Sequence, residues 1–326
     1  MPAPARGHLG ARAARHRRRP AAPGPPAPGT RWYPTLDDAL AEVDPARAVA
    51  HVTTPARTHA ALAETLVDRG LSRVVVEKPL ADTAAGARRV AALTRAGARI
   101  LPVGVWPSSA VTARIRVCLA DGGIGAPVAL AMEQSKPRFR RARSDSHTSA
   151  LEVELPHQVL LALHLLGPAA LAEAELWPLE RPTGPPLPRL GGGRLTLRHT
   201  SGATSTLVSD LTSPIRVRSL TVTGTEGQLT AHYPVSDADD VGQLRLPGSP
   251  DRLLLHDAPL TRFLAAAYRC FAGEGPPPPC GLDTHVRTVE LLEAAAGHTS
   301  AATPTTAPHG GPRTGAPDTD EVMTPC

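Results

Sequence analysis

Three short runs rich in β-branched residues, AVAHVT (48–53), RVVVE (73–77) and ARILPVGV (98–105), recur along the chain with a helix-length segment between each pair. Strands spaced in this way do not close into hairpins. They pair in parallel through right-handed crossovers, which lay helices on the faces of the sheet. Val74, Val75 and Val76 suit the middle of such a sheet, because a strand covered on both faces is apolar without alternation. The intervening segments carry helix signals. Thr54 is placed to cap a helix whose first position is Pro55, with Leu62, Leu66 and Val67 on one side and Gly70 as its stop. The next helix is predicted from Asp82 or Thr83 to Gly97. Upstream, Thr35 is placed to cap a short helix over LDDALAEV, with Asp37 and Asp38 favoured by the helix dipole.

Beyond residue 107 the rhythm changes. A helix over Ala110 to Ala120, with Val111, Ile115 and Leu119 on one face, stops at DGGIG. PVALAMEQ then reads as a strand, and residues 156 to 166 as a helix with Pro156 in its first turn. GRLTLRHT, ATSTLVSDL, RVRSLTVTG, GQLTAHY and DRLLLHD follow, alternating runs divided by glycine-bearing turns, which indicates a largely antiparallel sheet. LTRFLAAAYRCFAG and HVRTVELLEAAA read as closing helices. The expected fold class is α/β, with a partial parallel sheet of the nucleotide-binding type over residues 31–107 and then an α+β domain with an open, mainly antiparallel sheet over residues 108–300.

The ends differ from this body. Residues 1–30 contain RHRRRPAAPGPPAPG and residues 301–326 contain TAPHGGPRTGAPDTDEVMTPC, where proline removes donors and glycine adds chain entropy, so both are expected to be disordered. The 36 prolines and the 3% aromatic content agree with a chain only partly committed to a core. The formal charge of +5 comes largely from the first arginine run, which has no interleaved aromatic residues, and no nucleic-acid partner is expected. Cys118, Cys270, Cys280 and Cys326 lack metal-ligand spacing, no secretory signal is visible, and no run approaches the roughly 18 apolar residues of a membrane span. The expectation is a soluble cytoplasmic protein with reduced thiols, no bound metal and no membrane partner.

Glu77, Lys78 and Pro79 stand where the RVVV strand leaves the sheet. In open α/β folds ligands bind in the crevice outside the carboxyl ends of the strands. A lysine there either reaches water or serves the crevice as a placed positive charge. The basic segment KPRFRRARSD (136–145) is open in the same way: arginine forks match a carboxylate or phosphate, and a charge run is also a common solvated face.

RWYPTLDDAL, HVTTPARTHAALAETLVDRG, VVVEKPLAD, LADGGIGAPV, LPHQVLLALHLLG and LTVTGTEGQLT, in this order over roughly residues 31 to 300, resemble the Gfo/Idh/MocA oxidoreductases, the glucose-fructose oxidoreductase and inositol dehydrogenase group. The resemblance implies a Rossmann domain binding NAD or NADP and a second domain whose open sheet forms the substrate cleft and often the interface of a homo-oligomer. It implies a dehydrogenase moving hydride between nicotinamide and a hydroxyl-bearing carbon of a small sugar, cyclitol or related polyol derivative. It places Thr54, Pro55 and His59 on the cofactor side, and Glu77, Lys78 and Pro79 in the turn under the nicotinamide, where the Lys-Pro bond is often cis.

The chemistry needs a proton acceptor and a fixed positive charge beside the oxygen. Lys78 can supply the charge. His157 matches the family histidine in the first turn of its helix, where the dipole disfavours the protonated ring, as suits a base. His164 reads as packing or solvent-facing. Family members with a strong dehydrogenase signature usually carry an aspartate four residues before the histidine. Val153 stands there, leaving Glu154 or Glu152 as the carboxylate. The G-x-G-x-x-G turn expected to hold the pyrophosphate is not found. GHLG (7–10) is similar to its second half, which makes Gly7 and Gly10 the candidates for that contact. This departure keeps a second reading open, a truncated or degenerate relative that acts as a non-catalytic binding or oligomerisation module.

Overall fold

The computed structural model describes residues 14–16, 29–139, 147–181, 184–236 and 240–298. Gly7, Gly10, the later part of the basic segment and residues 301–326 lie outside them. Strands β1 (Ala14–His16) and β2 (Arg31–Tyr33) pair in parallel as a small sheet, β1 falling within the proline- and arginine-rich N-terminal stretch. Helix α1 (Leu36–Ala41) follows. Thr35 caps it in a capping box with Asp38, as the residues predict.

A second parallel sheet then forms from β3 (Ala50–Val52), β4 (Arg73–Val76) and β5 (Arg99–Pro102), in that order. Helix α2 (His59–Asp68) joins the first two strands and α3 (Ala84–Ala92) the next pair. Thr83 caps α3, and Gly97, with φ of 86°, turns the chain into β5. The expected cap at Thr54 does not form. A 3-10 turn over Ala56–Thr58 precedes α2, and it draws the Thr54 and Thr58 hydroxyls to within 2.6 Å of each other, away from the helix amides.

The second domain opens with α4 (Ala110–Ala120), capped by the Ser109 hydroxyl. Then come β6 (Pro127–Ser135), α5 (Leu155–Leu166), β7 (Ala169–Leu179), β8 (Leu187–His199), β9 (Thr204–Asp210), β10 (Val217–Gly224), β11 (Gln228–His232), β12 (Val241–Arg245) and β13 (Arg252–His256). They make an eight-stranded sheet in the order β13-β12-β11-β10-β6-β9-β8-β7, antiparallel except for the β6–β9 pair. The chain closes with α6 (Pro259–Ala272) and α7 (Leu282–Gly297).

Neither β7 nor β12 is legible in the sequence, nor is the first half of β8. The AALAEAELWPL of β7 is composed mainly of helix formers, and it is a strand because β8 offers it an edge, where Pro178 is tolerated. The glycine run of β8 has a steric cause. A Cβ on Gly191 would collide with the Pro178 carbonyl, and one on Gly192 with the Ser209 carbonyl and the Trp177 ring.

The parallel sheet is covered on both faces. Ala60, Ala63, Leu66, Ala87 and Val90 of α2 and α3 pack with Val74 and Val76, and Phe263, Ala267 and Phe271 of α6 pack with Val75 and Val103. Val289 of α7 joins the first of these clusters, so the last two helices buttress the domain that carries the lysine turn. A larger core lies under the eight-stranded sheet, around Leu130, Met132, Leu195, Leu207, Leu220 and the α5 leucines. Among the described residues no helix is long and apolar enough to cross a membrane.

Candidate functional site

The site begins where β4 ends. The backbone N–H of Glu77 donates to the Val52 carbonyl at 2.9 Å, which keeps the chain in register with β3 until the last strand residue. The Lys78–Pro79 peptide that follows is cis. From this turn the Lys78 side chain crosses to the second domain and its Nζ donates to the carbonyl of Val153 at 2.8 Å. Burial lowers the Lys78 pKa from its ordinary value. Glu154 and Glu77 oppose that effect, and Lys136 and Arg138 add to it.

Val153 can receive this contact because of the turn before α5. Ser149 caps a 3-10 turn over Ala150–Glu152, and the chain then swings into the helix with Glu154 as its N-cap residue and Pro156 in the first turn. The Val153 side chain is buried in the main core, at 3% exposure, so its carbonyl is a rigid acceptor. The position where the family's carboxylate was expected therefore contributes through its backbone.

Glu154 is 6% exposed and forms an ion pair with Lys136. In the amide orientation that satisfies both of its neighbours, Gln134 donates to the other Glu154 oxygen at 2.9 Å and accepts from the Trp106 indole N–H at 3.1 Å. Burial alone would raise the carboxyl pKa. The charges around it, His157 and Lys136 foremost and then Lys78, outweigh burial and hold it down at about 2. His157 is itself held well below its ordinary value, first by burial and then by Lys78, so near neutral pH the ammonium groups carry that effect.

The His157 ring meets the edge of Trp106, with centroids 6.2 Å apart. Trp106 in turn lies under the Arg218 guanidinium, 5.2 Å from its centroid, and against Tyr233. No hydrogen bond to either His157 ring nitrogen is found among the described residues. A neutral imidazole with open nitrogens, next to a half-buried ammonium, can accept a proton from a hydroxyl or return one.

The remaining sequence candidates fall in different places. Thr54 and Pro55 follow β3 at the same crevice, partly exposed and exposed respectively. His59 is fully buried, with Nδ1 3.0 Å from the Pro79 carbonyl and Nε2 2.7 Å from the Thr54 carbonyl, so it ties the two crevice turns together. Glu152 faces Thr148 and His147, outside the Lys78 cluster. Among the described residues His164 Nε2 has no hydrogen-bond partner, and its pKa is lowered to about 4, first by burial and then by Arg116. Trp106, Gln134 and Arg218 were not anticipated. Trp106, one of only 3 tryptophans and placed just after a predicted strand end, carried the one available signal.

The residues at the crevice fit the nicotinamide half of a dinucleotide. They offer an ammonium anchored by one carbonyl with donors to spare, and an imidazole open to a substrate hydroxyl. Residues 13–105 match the Gfo/Idh/MocA family, described as an oxidoreductase family with an NAD-binding Rossmann fold. No curated protein matches the chain by sequence. Similar solved structures include KijD10, a 3-ketoreductase from Actinomadura kijaniata in complex with NADP and TDP-benzene, with 20% identity, a TM-score of 0.68 and 83% of each chain covered. The WlbA dehydrogenase from Bordetella pertussis, in complex with NADH and UDP-GlcNAcA, is similar at 18% identity and a TM-score of 0.67, with 83% of this chain and 82% of that one covered. At these identities the likeness is one of fold.

Proposed function

We propose that this chain, a Gfo/Idh/MocA-type oxidoreductase of an NAD(P)-binding family, acts at a hydroxyl-bearing carbon of a sugar, cyclitol or related polyol derivative, with Lys78, Glu154 and His157 as its working residues. The nicotinamide cofactor, when bound, supplies or accepts the hydride. In the direction of alcohol oxidation, neutral His157 takes the proton of the substrate hydroxyl, which frees an oxygen lone pair to form the carbonyl. In reduction the same nitrogen returns a proton to the new alkoxide. Lys78, fixed by the Val153 carbonyl, places its remaining N–H donors where negative charge develops on that oxygen. Glu154 stays ionised and partners Lys136, which limits the repulsion around Lys78.

The observation that carries this reading is the span of Lys78 from the first domain to the carbonyl one residue before Glu154, which brings ammonium, carboxylate and imidazole into one cluster. Neighbours crystallised with nucleotide-linked ligands support a sugar-like substrate. Thr54 and Pro55 would face the cofactor at the crevice, Glu77 and Pro79 shape the turn, and Gly7 and Gly10 remain candidates for its phosphates. The test is a cofactor-absorbance assay of the full chain with NAD and NADP over a panel of sugars and cyclitols. Lys78→Ala should lower the rate by about two to three orders of magnitude with an unchanged circular dichroism spectrum. A folded variant that keeps more than about a tenth of the rate would overturn the role of Lys78.

A further inference from the structure

Gln134 and Lys136 are alternate residues of one extended chain, so their side chains leave it on the same side. Lys136 prolongs β6 beyond its last residue, its backbone N–H donating to the Asp210 carbonyl of β9 at 2.9 Å. Both side chains end on the same carboxylate. Lys136 donates to Oε1 of Glu154, and Gln134 donates to Oε2 at 2.9 Å. Trp106 decides which end of the amide faces Glu154. An indole N–H can donate but not accept, so it takes the amide oxygen at 3.1 Å and leaves the NH2 for the carboxylate. Gln134 is 1% exposed and Trp106 is buried, so water does not compete for these contacts.

The consequence lies at His157. The charges acting on its ring are Lys78 from the turn after β4, Lys136 beyond β6, Arg218 on β10 and Glu154 ahead of α5, and of these Glu154 alone is an anion. A carboxylate hydrogen-bonded to an imidazole stabilises the protonated ring and occupies one of its nitrogens. Yet among the described residues Glu154 makes no hydrogen bond or ion pair with the side chain of His157 or Lys78, although both stand close enough for their charges to act on it. We infer that Gln134 is a positioning residue: locked by the Trp106 indole, it holds the second oxygen of Glu154 off His157 and so keeps the imidazole free for the substrate hydroxyl. The inference rests on the proposed role of His157 for its effect on turnover. The state of the ring can be read without turnover.

The test follows the His157 ring by NMR in the full chain with labelled histidine, its signal assigned by its loss in His157→Asn. Gln134→Met keeps the bulk and removes the donor, which lets the Glu154 oxygen turn to the imidazole. The ring's ionisation should rise by about one unit or more, about a tenfold gain in protonated ring at a given pH. Trp106→Phe keeps an aromatic edge against His157 but releases the amide, and should shift the ionisation in the same direction. Because Trp106 acts through Gln134, the double variant should shift it no further than Gln134→Met alone. In the proposed reaction the acid limb of alcohol oxidation should move up with the ring, whereas a merely structural loss would lower the rate at every pH. An ionisation unchanged or lowered in Gln134→Met, or shifts that add in the double variant, would overturn the inference. If Gln134→Met does not fold, Trp106→Phe decides it alone by the same criterion. A ring that shifts while the acid limb of turnover stays in place would refute His157 as the proton acceptor and leave the positioning role standing.

Discussion

Replacing Glu154 by glutamine tests the charge network through stability alone. The carboxyl sits at 6% exposure, paired with Lys136 and hydrogen-bonded by Gln134, with its pKa drawn from the ordinary 4.5 to about 2. At about 1.4 kcal/mol for each pKa unit, that difference sets an upper bound of about 3 kcal/mol on the folding stability involved, and with His157 neutral only the part due to Lys136 and Lys78 acts near pH 7. Because the folded pKa lies below the unfolded one, this contribution is complete above about pH 5 and disappears as pH falls through about 2. Glutamine keeps the shape but leaves the Lys136 ammonium without its counter-charge. Urea unfolding followed by circular dichroism should show Glu154→Gln about 1–3 kcal/mol less stable than the parent at neutral pH. The gap should close towards pH 2, where the parent's own carboxyl is protonated. Other carboxylates titrate in both proteins and cancel in the difference. A gap below about 1 kcal/mol at pH 7, or one that stays constant down to pH 2, would refute the reasoning.

Further outcomes follow from the same geometry. If His157 is the proton acceptor, alcohol oxidation should hold its rate below the ordinary histidine range, because burial and Lys78 depress the ring's pKa, and should fall only at more acid pH. His157→Asn should abolish that acid limb, and a pH–rate profile unchanged in the variant would move the proton transfer elsewhere. His59→Ala removes a fully buried ring that lies within hydrogen-bond distance of the Thr54 and Pro79 carbonyls and should cost about 3–5 kcal/mol in denaturant unfolding. A loss below about 1 kcal/mol would show that the two turns hold without it. Gly192→Ala forces a methyl group against Trp177 and the Ser209 carbonyl and should destabilise by about 1–3 kcal/mol. A melting temperature equal to the parent's would show that β7 can shift aside.

The parallel sheet, its helices and most strands of the second domain were legible in the sequence because their signals are local. β-Branched runs, capping residues such as Thr35 and Thr83, and glycine stops act over a few residues, although the cap read at Thr54 did not form. Motif resemblance also pointed to Lys78, Glu154 and His157, which the structure brings together. Tertiary structure decided the remainder. The β7 segment is rich in helix formers and becomes a strand only because β8 supplies donors and acceptors along its edge. Gln134 and Arg218 enter the site through pairing of β6 with β10, and Trp106 through its packing between Arg218 and His157. The choice of Glu154 over Glu152, and the use of Val153 through its carbonyl, depend on how one short turn presents its backbone to a lysine 75 residues earlier. Contacts of that kind are made by main-chain atoms common to every residue, so side-chain identity carries no trace of them until the chain has folded.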